Sequence, residues 1–344
     1  MTSRARLRPV LATAPCRADL AGGTMDIWPL YLFHPGAVTV NVALNILTRC
    51  LVTPLPGHQI HLKSVDTNKE EHFADWEQFS RTRQYKHPLA AHLVRFFAPA
   101  TGLSIETHSE APAGAGISGS SALMIATTAA LARFTGRKLS KEQIREIAQN
   151  VEAQLIRVPT GCQDYYPALY GGVSAIHLSP DGIRHEAVAV EPEEMERRFL
   201  VVYTGVPRQS GINNWEVFQS HINGDARVFR NFEEIGRIAR AMRQALLAAA
   251  WDEVGRLLHE EWRLRKTNAP GITTPLIEKL ASAAARNGAR ASKVCGAGGG
   301  GCVIFLVEPE ARERVASVLE RNGAQLLDFR VARRGLTLAT PKTG

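Results

Sequence analysis

Residues 112–122 read PAGAGISGSSA, a run of small residues that gives way to the apolar stretch Ala122 to Phe134. Before it lies Leu103 to His108, LSIETH, an alternating segment of strand type. The order is strand, glycine loop, helix. Glycines let a backbone wrap closely around a ligand, while serine hydroxyls and the amides at a helix start donate hydrogen bonds, so phosphate is the natural guest. One such loop on its own also fits a tight turn that merely reverses the chain. Its GAGISG string matches the dinucleotide fingerprint of nicotinamide-dependent oxidoreductases, but the match lies past residue 110. The residues some 20 further on, Arg137, Lys138 and Leu139, offer no acid for a ribose. The Gly-Lys-Ser/Thr ending of a P-loop is absent.

Working outward, residues 294–302 read VCGAGGGGC. Four consecutive glycines, Gly298 to Gly301, carry an entropic cost that an ordinary turn does not require, and close approach to a ligand accounts for it. Toward the N-terminus, PCRADLAGGTMD (15–26) places Arg17 and Asp26 around Gly22 and Gly23. The segment PTGCQDYYPALYGG (159–172) sets Asp164 among glycines, prolines and aromatics. Ser140, with Gln143 three residues on, caps a helix whose apolar face carries Ile144, Ile147, Ala148, Val151 and Leu155. Glu152 sits beside that face. Phosphoryl transfer needs a carboxylate for the attacking hydroxyl, a metal on the phosphate oxygens, and cations and amides for developing charge. All have candidates here.

The rest of the chain fixes the frame. At 344 residues two cores are expected. Gly36 to Val52 reads as one or two strands, and another strand lies near Ala175. The polar stretch EPEEMERR marks a boundary between about residues 178 and 198, with the domains taken as 1–185 and 186–344. Beyond it come the strand Phe199 to Thr204 and the long helices Arg230 to Ala250 and Asp252 to Lys266. A helix opened by Thr274 and Pro275 follows, then strand, helix and strand over Cys302 to Val307, Ala311 to Asn322 and Gln325 to Val331. This order suggests helices on one face of a mainly antiparallel sheet. The net charge of +8 is spread through helices such as Arg227 to Arg243 and Arg256 to Lys266. Solvated faces and anionic substrates explain it better than nucleic acid. Five widely spaced cysteines have no zinc-site spacing and read as reduced packing residues. No run reaches the roughly 18 apolar residues of a membrane span, and the N-terminus lacks a secretory core segment. A cytoplasmic protein without membrane or nucleic-acid partners, monomeric or homodimeric, is expected.

In order, the segments PCRADLAGGTMD, PAGAGISGSSA and CGAGGGGC, with PTGCQD after the second, resemble the motifs of the galactokinase, homoserine kinase, mevalonate kinase and phosphomevalonate kinase (GHMP) superfamily. The resemblance covers nearly the whole chain. It implies an α+β, two-domain fold: an N-terminal domain like domain 2 of ribosomal protein S5 and a ferredoxin-like C-terminal domain. ATP and substrate would lie between them. It implies that Pro112, Gly114, Ala115, Gly116, Ser118, Gly119, Ser120 and Ser121 cradle ATP, and that Ser120 and Glu152 hold Mg²⁺. Asp164 would take or orient the hydroxyl proton, and Arg17 would support Asp164 and the transferring group. Gly22, Gly23, Thr24, Asp26, Asp164, Gly296, Ala297, Gly298 and Gly299 would line the substrate. Asp164 places the chain with the galactokinase and mevalonate kinase branch. The Gly-Gly form of the first motif, VEAQLIRVPTGCQD and YTGVPRQS are most similar to heptose 7-phosphate kinases, with Arg208 as a phosphate clamp. A galactokinase-like or fucokinase-like enzyme for an unphosphorylated sugar is the alternative, and a non-catalytic binding protein or an oxidoreductase is a more distant one.

Overall fold

The computed structural model describes residues 8–207 and 212–341, and the proposed clamp Arg208 lies outside the described residues. The first layer forms because β-branched and apolar residues dominate two long segments, β1 (Val10–Ala21) and β2 (Val38–Pro54), which pair antiparallel along most of their length. The reading of Gly36 to Val52 resolves to one strand. β3 (Ile60–Ser64) and β4 (Lys69–Phe73) make a hairpin, followed by the helices α1 (Trp76–Arg81) and α2 (Pro88–Phe97) and by β5 (Leu103–Ser109). α3 (Gly119–Phe134) then runs across β1 and β2. It is buried nearly all round, as a helix built from Ala, Leu, Ile, Met and Thr must be. α4 (Lys141–Ile156) opens with a complete Ser140–Gln143 capping box, in accord with the sequence.

After the short α5 (Tyr165–Tyr170), β6 (Val173–Ser179) and β7 (Gly182–Val188) complete the near half. The path through this eight-stranded sheet is β12-β1-β2-β5-β3-β4, with β6 on β2 and β7 on β6; β12 is Thr337–Ala339. Residue 185 lies within β7, and the chain's end returns to the first sheet, where β12 pairs with β1 and Val331 bridges to Leu44. EPEEMERR itself is largely a helix, α6 (Pro192–Arg198).

The second sheet joins β8 (Phe199–Tyr203), β9 (Ala289–Val294), β10 (Cys302–Val307) and β11 (Gln325–Leu327) in the antiparallel order β11-β8-β10-β9. This is the ferredoxin-like βαββαβ arrangement. Five helices come from the same half: α7 (Ile212–Ile222), α8 (Ala226–Leu247), α9 (Trp251–Arg265), α10 (Pro275–Ala285) and α11 (Arg312–Arg321). They do not lie on one face as expected. Ile304 and Leu306 belong to the same core as Leu257 and Leu258 of α9, whereas Val303 and Phe305 belong to a second core with Leu280 of α10 and Leu319 of α11. CVIFLV is apolar at every position, and alternate side chains of a strand point to opposite faces, so both faces need cover. α8 and α9 also touch β1, and this shared helix pair fuses the two layers. All five cysteines are buried, and no disulfide joins them.

Candidate active site

The three glycine segments meet where the layers join. Arg17, on β1, is 2% exposed. Its backbone N–H donates to the Ile117 carbonyl at 3.0 Å and its Nη1 to the Gly116 carbonyl at 2.9 Å, so one residue of the first segment holds the second loop twice. Its Nε and Nη2 both donate to Asp164 Oδ1, at 2.9 and 2.5 Å. Burial works against the guanidinium's charge, but Asp164 and Asp19 outweigh it and hold Arg17 firmly protonated. The third segment closes from the other layer: Cys302 N–H donates to the Ala115 carbonyl at 2.7 Å.

These contacts explain the glycine run differently from the expectation. A Cβ on Gly301 would sit 2.6 Å from the Ala115 carbonyl oxygen, and one on Gly298 would sit 2.3 Å from that of Ile272. The close approach is to backbone. Gly299 likewise donates to the Ile272 carbonyl at 2.9 Å. Gly298 and Gly299 line neither cavity described below, and Gly22 and Gly23 are packed against the Val38 carbonyl and the Asp19 carboxylate.

The larger cavity encloses about 440 Å³, within the range of small-molecule sites. Pro112, Gly114, Ala115 and Gly116 line it, as do Ser118, Gly119, Ser120 and Ser121. Gly114, Gly116 and Ser118 have φ of 68°, 75° and 61°, the alternation found in anion-binding nests. Ser118 caps α3 yet makes no capping bond, and its buried hydroxyl has no partner. Such a hydroxyl at a helix N-terminus is poised for an anion's oxygen. Glu152 also lines the cavity; it is buried, not solvent-facing. It accepts from Ser120 Oγ and Tyr165 Oη, both at 2.7 Å. Burial pushes its carboxyl above the usual range in spite of those bonds.

The smaller cavity holds about 40 Å³, room for a few waters, and shares Thr160, Gly161, Asp164 and Asn214 with the larger one. Arg17, Thr24, Asp26, Gly296 and Ala297 are on its walls. Asp26 is 2% exposed, accepts from Gln163 N–H at 2.7 Å, and is pushed by burial up to about 7. Gly161 has no room for a side chain: a Cβ would lie 2.0 Å from that carboxylate.

Sequence reasoning missed the charges behind this wall. Lys293 Nζ donates to Asp19 Oδ2 at 2.7 Å with both side chains fully buried. Arg265 pairs with Glu261 and donates to Thr24 Oγ1 and the Gly23 carbonyl at 3.2 and 3.0 Å. Burial disfavours the Asp19 carboxylate, but Lys293 and Arg265 outweigh it and hold its pKa low. Arg265 was expected on a solvated basic face; its register on α9 turns it into the wall instead. Asp19 and Lys293 lie within or beside quoted segments, so proximity to the motifs was the available signal. Nothing local marked Arg265, or Asn214, which receives the Thr24 hydroxyl bond at 3.1 Å.

Comparison with known proteins gives this geometry a context. A D-glycero-α-D-manno-heptose 7-phosphate kinase of Campylobacter jejuni is 24% identical over 96% of this chain and 98% of its own length. A crystal structure described as a D-glycero-D-manno-heptose 1-phosphate kinase from Bacteriodes thetaiotaomicron superposes with a TM-score of 0.78 at 22% identity, covering 97% of this chain and all of that one. Lactococcus lactis galactokinase, solved with galactose, gives 0.80 at 18% identity over 96% and 95%. Residues 85–172 match the GHMP kinases N terminal domain and residues 228–325 the GHMP kinases C terminal domain. Those two matches span just over half of the chain, in the order and at the places where the nest and the ferredoxin-like layer lie, and the chain belongs to the GHMP kinases.

Proposed function

We propose that this protein transfers the terminal phosphoryl group of ATP to a hydroxyl of a sugar phosphate, in the manner of a heptose 7-phosphate 1-kinase. The observation that carries the reading is Asp164: it stands on the walls of both cavities and is held by Arg17 through Oδ1 alone. Oδ2 is then the oxygen left for an acceptor hydroxyl, so that Asp164 orients the hydroxyl and takes its proton as the phosphoryl group arrives. The nest from Gly114 to Ser121 binds the triphosphate. Arg17, fixed between Gly116 and Asp164, faces the transferring group and offsets its charge. Thr24, Asp26, Gly296 and Ala297 line the smaller cavity, whose volume of about 40 Å³ takes the reacting end of the sugar and not the whole of it.

Ser120 and Glu152 fit a magnesium ion: they are oxygen donors only, side by side on the donor cavity, and the buried carboxylate, with its raised pKa, lacks a cation. Bound there, the ion would neutralise phosphate charge. The heptose 7-phosphate kinase relative, 24% identical over nearly the full length of both chains, supports a sugar phosphate as the acceptor. A cytoplasmic location is part of the same reading; among the described residues no helix is long and apolar enough to cross a membrane.

The test is ADP release over a panel of hexoses, heptoses and their phosphates, with mevalonate and homoserine as outgroups. Turnover restricted to a sugar phosphate with a free anomeric hydroxyl is expected. Turnover of mevalonate or homoserine alone would overturn the reading.

A further inference from the structure

The β3–β4 hairpin, on the edge of the first sheet, sets His61 directly across from His72, with Glu70 two residues before His72 on the same strand. Positions two apart on a strand, and those directly opposite across a pair, share a face. The two imidazoles stack with centroids 4.0 Å apart and planes 8° from parallel. Their Nε2 atoms converge on Glu70 Oε1, at 2.6 Å from His61 and 3.2 Å from His72. All three ligand atoms lie within 4.8 Å of one another. On the other side of the His61 ring, Nδ1 is 3.1 Å from Ser104 Oγ of β5, which orients the ring so that Nε2 faces Glu70.

We infer that this hairpin face binds one transition-metal dication of the Zn²⁺ class, at a site separate from Ser120 and Glu152 and independent of the phosphoryl-transfer reading. Two imidazole nitrogens and a carboxylate oxygen are a donor set for zinc and its neighbours, not for magnesium or calcium. Tetrahedral zinc with bonds of about 2.0–2.1 Å places its ligand atoms roughly 3.3 Å apart. The two N···O separations of 2.6 and 3.2 Å are within about 1 Å of that value, and the stacked imidazoles must in addition tilt toward each other so that both Nε2 lone pairs meet one ion. Ser104 stands where metal-bound histidines usually find a second hydrogen bond. Lys63, which faces Glu70 in register, makes its ion pair with Glu106 at 3.3 Å and acts on Glu70 only through its charge, which an arriving dication has to outcompete. Three protein ligands leave a fourth position to water.

The location has a consequence for the hairpin. Its turn supplies Ser64, Asp66, Thr67 and Lys69 to the donor cavity. On the opposite face of β4, Glu71 accepts the backbone N–H groups of Lys86 and His87 at 3.0 and 2.9 Å. An ion clasped across β3 and β4 restrains the strand that carries this wall.

The test is calorimetric titration of the tag-free, chelator-stripped full chain with Zn²⁺ in buffer already saturated with Mg²⁺. One equivalent is expected to bind, with His61→Ala and His72→Ala each weakening it at least about tenfold. Zn²⁺ is expected to slow amide exchange over residues 60–73. Cu²⁺ electron paramagnetic resonance on the unmodified protein gives a readout that needs no variant: nitrogen hyperfine structure from two imidazoles supports the site. A His61→Ala/His72→Ala variant that binds Zn²⁺ as tightly as the parent chain overturns the proposal, as does a Cu²⁺ spectrum without nitrogen coupling.

Discussion

The donor and acceptor cavities meet at Thr160, Gly161, Asp164 and Asn214, yet one encloses about 440 Å³ and the other about 40 Å³. The larger carries a nest of left-handed residues, the start of α3 and an unpartnered serine hydroxyl. That part of its wall comes from one continuous stretch between residues 107 and 123. The smaller takes its charged side chains from both layers, with Arg17 and Asp26 from one and Arg265 from the other. A phosphate needs N–H groups, which any residue supplies, so local sequence suffices to build its site. An acceptor pocket needs particular charges at particular depths, and these are set by tertiary packing.

Asp164 is the point at which that contrast is most easily broken. Asp164→Asn keeps the shape of both walls and removes the oxygen that takes the proton, so turnover should fall by roughly 10² to 10⁴, about 3–5 kcal/mol of barrier. Nucleotide affinity, read by equilibrium binding, should stay unchanged. A parallel loss of nucleotide binding would place Asp164 with the donor site and erase the distinction.

The next largest effect falls on stability. Lys293→Met strips the fully buried Asp19 of its nearest cation while Arg265 remains 3.7 Å away, and breaking a buried pair from one side costs about 3–5 kcal/mol. Urea unfolding should show a loss near the lower end, and the surviving folded protein should bind nucleotide normally but acceptor poorly. A loss below about 1 kcal/mol would mean that the buried charges do not brace the acceptor wall.

What the sequence revealed follows the same division. The nest was legible because glycine, serine and a helix start are adjacent in the chain, and the capping box at Ser140 because it is a four-residue pattern. Glu152 beside an apolar face was legible as a position, though not its burial against Tyr165, which lies on the next helix. The four glycines stood out, but what they approach, the carbonyls of Ala115 and Ile272, is far away in the chain. Arg265 looked like one more arginine on a basic helix, since its only partner on α9 is Glu261 and the docking of α9 against β1 is what brings it to Asp19, Gly23 and Thr24. The two-sided cover of β10 was written in CVIFLV, where continuous rather than alternating apolarity marks a strand buried on both faces.

Asp26 offers the finest test, because it ties the acceptor pocket's chemistry to its energetic cost. Its carboxyl is raised from an ordinary 3.8 to about 7 by burial. Between those values the folded chain keeps a proton that the unfolded chain has released. Stability must therefore decline as pH rises from about 4 to 7 and stay lower above it, by at most roughly 4 kcal/mol for a shift of about three pH units. Asp26→Asn removes this titration while its side-chain oxygen can still accept the Gln163 N–H bond. The stability difference between variant and parent should thus move in the variant's favour as pH is raised from 4 to 8, measured by chemical unfolding at each pH. The acceptor KM should move the other way, rising in the variant at pH 8, because sugar hydroxyls lose an anionic partner, while the KM for ATP is unaffected. If parent and variant share one pH profile of stability, Asp26 does not carry a buried, raised pKa, and the acceptor pocket is not organised around it.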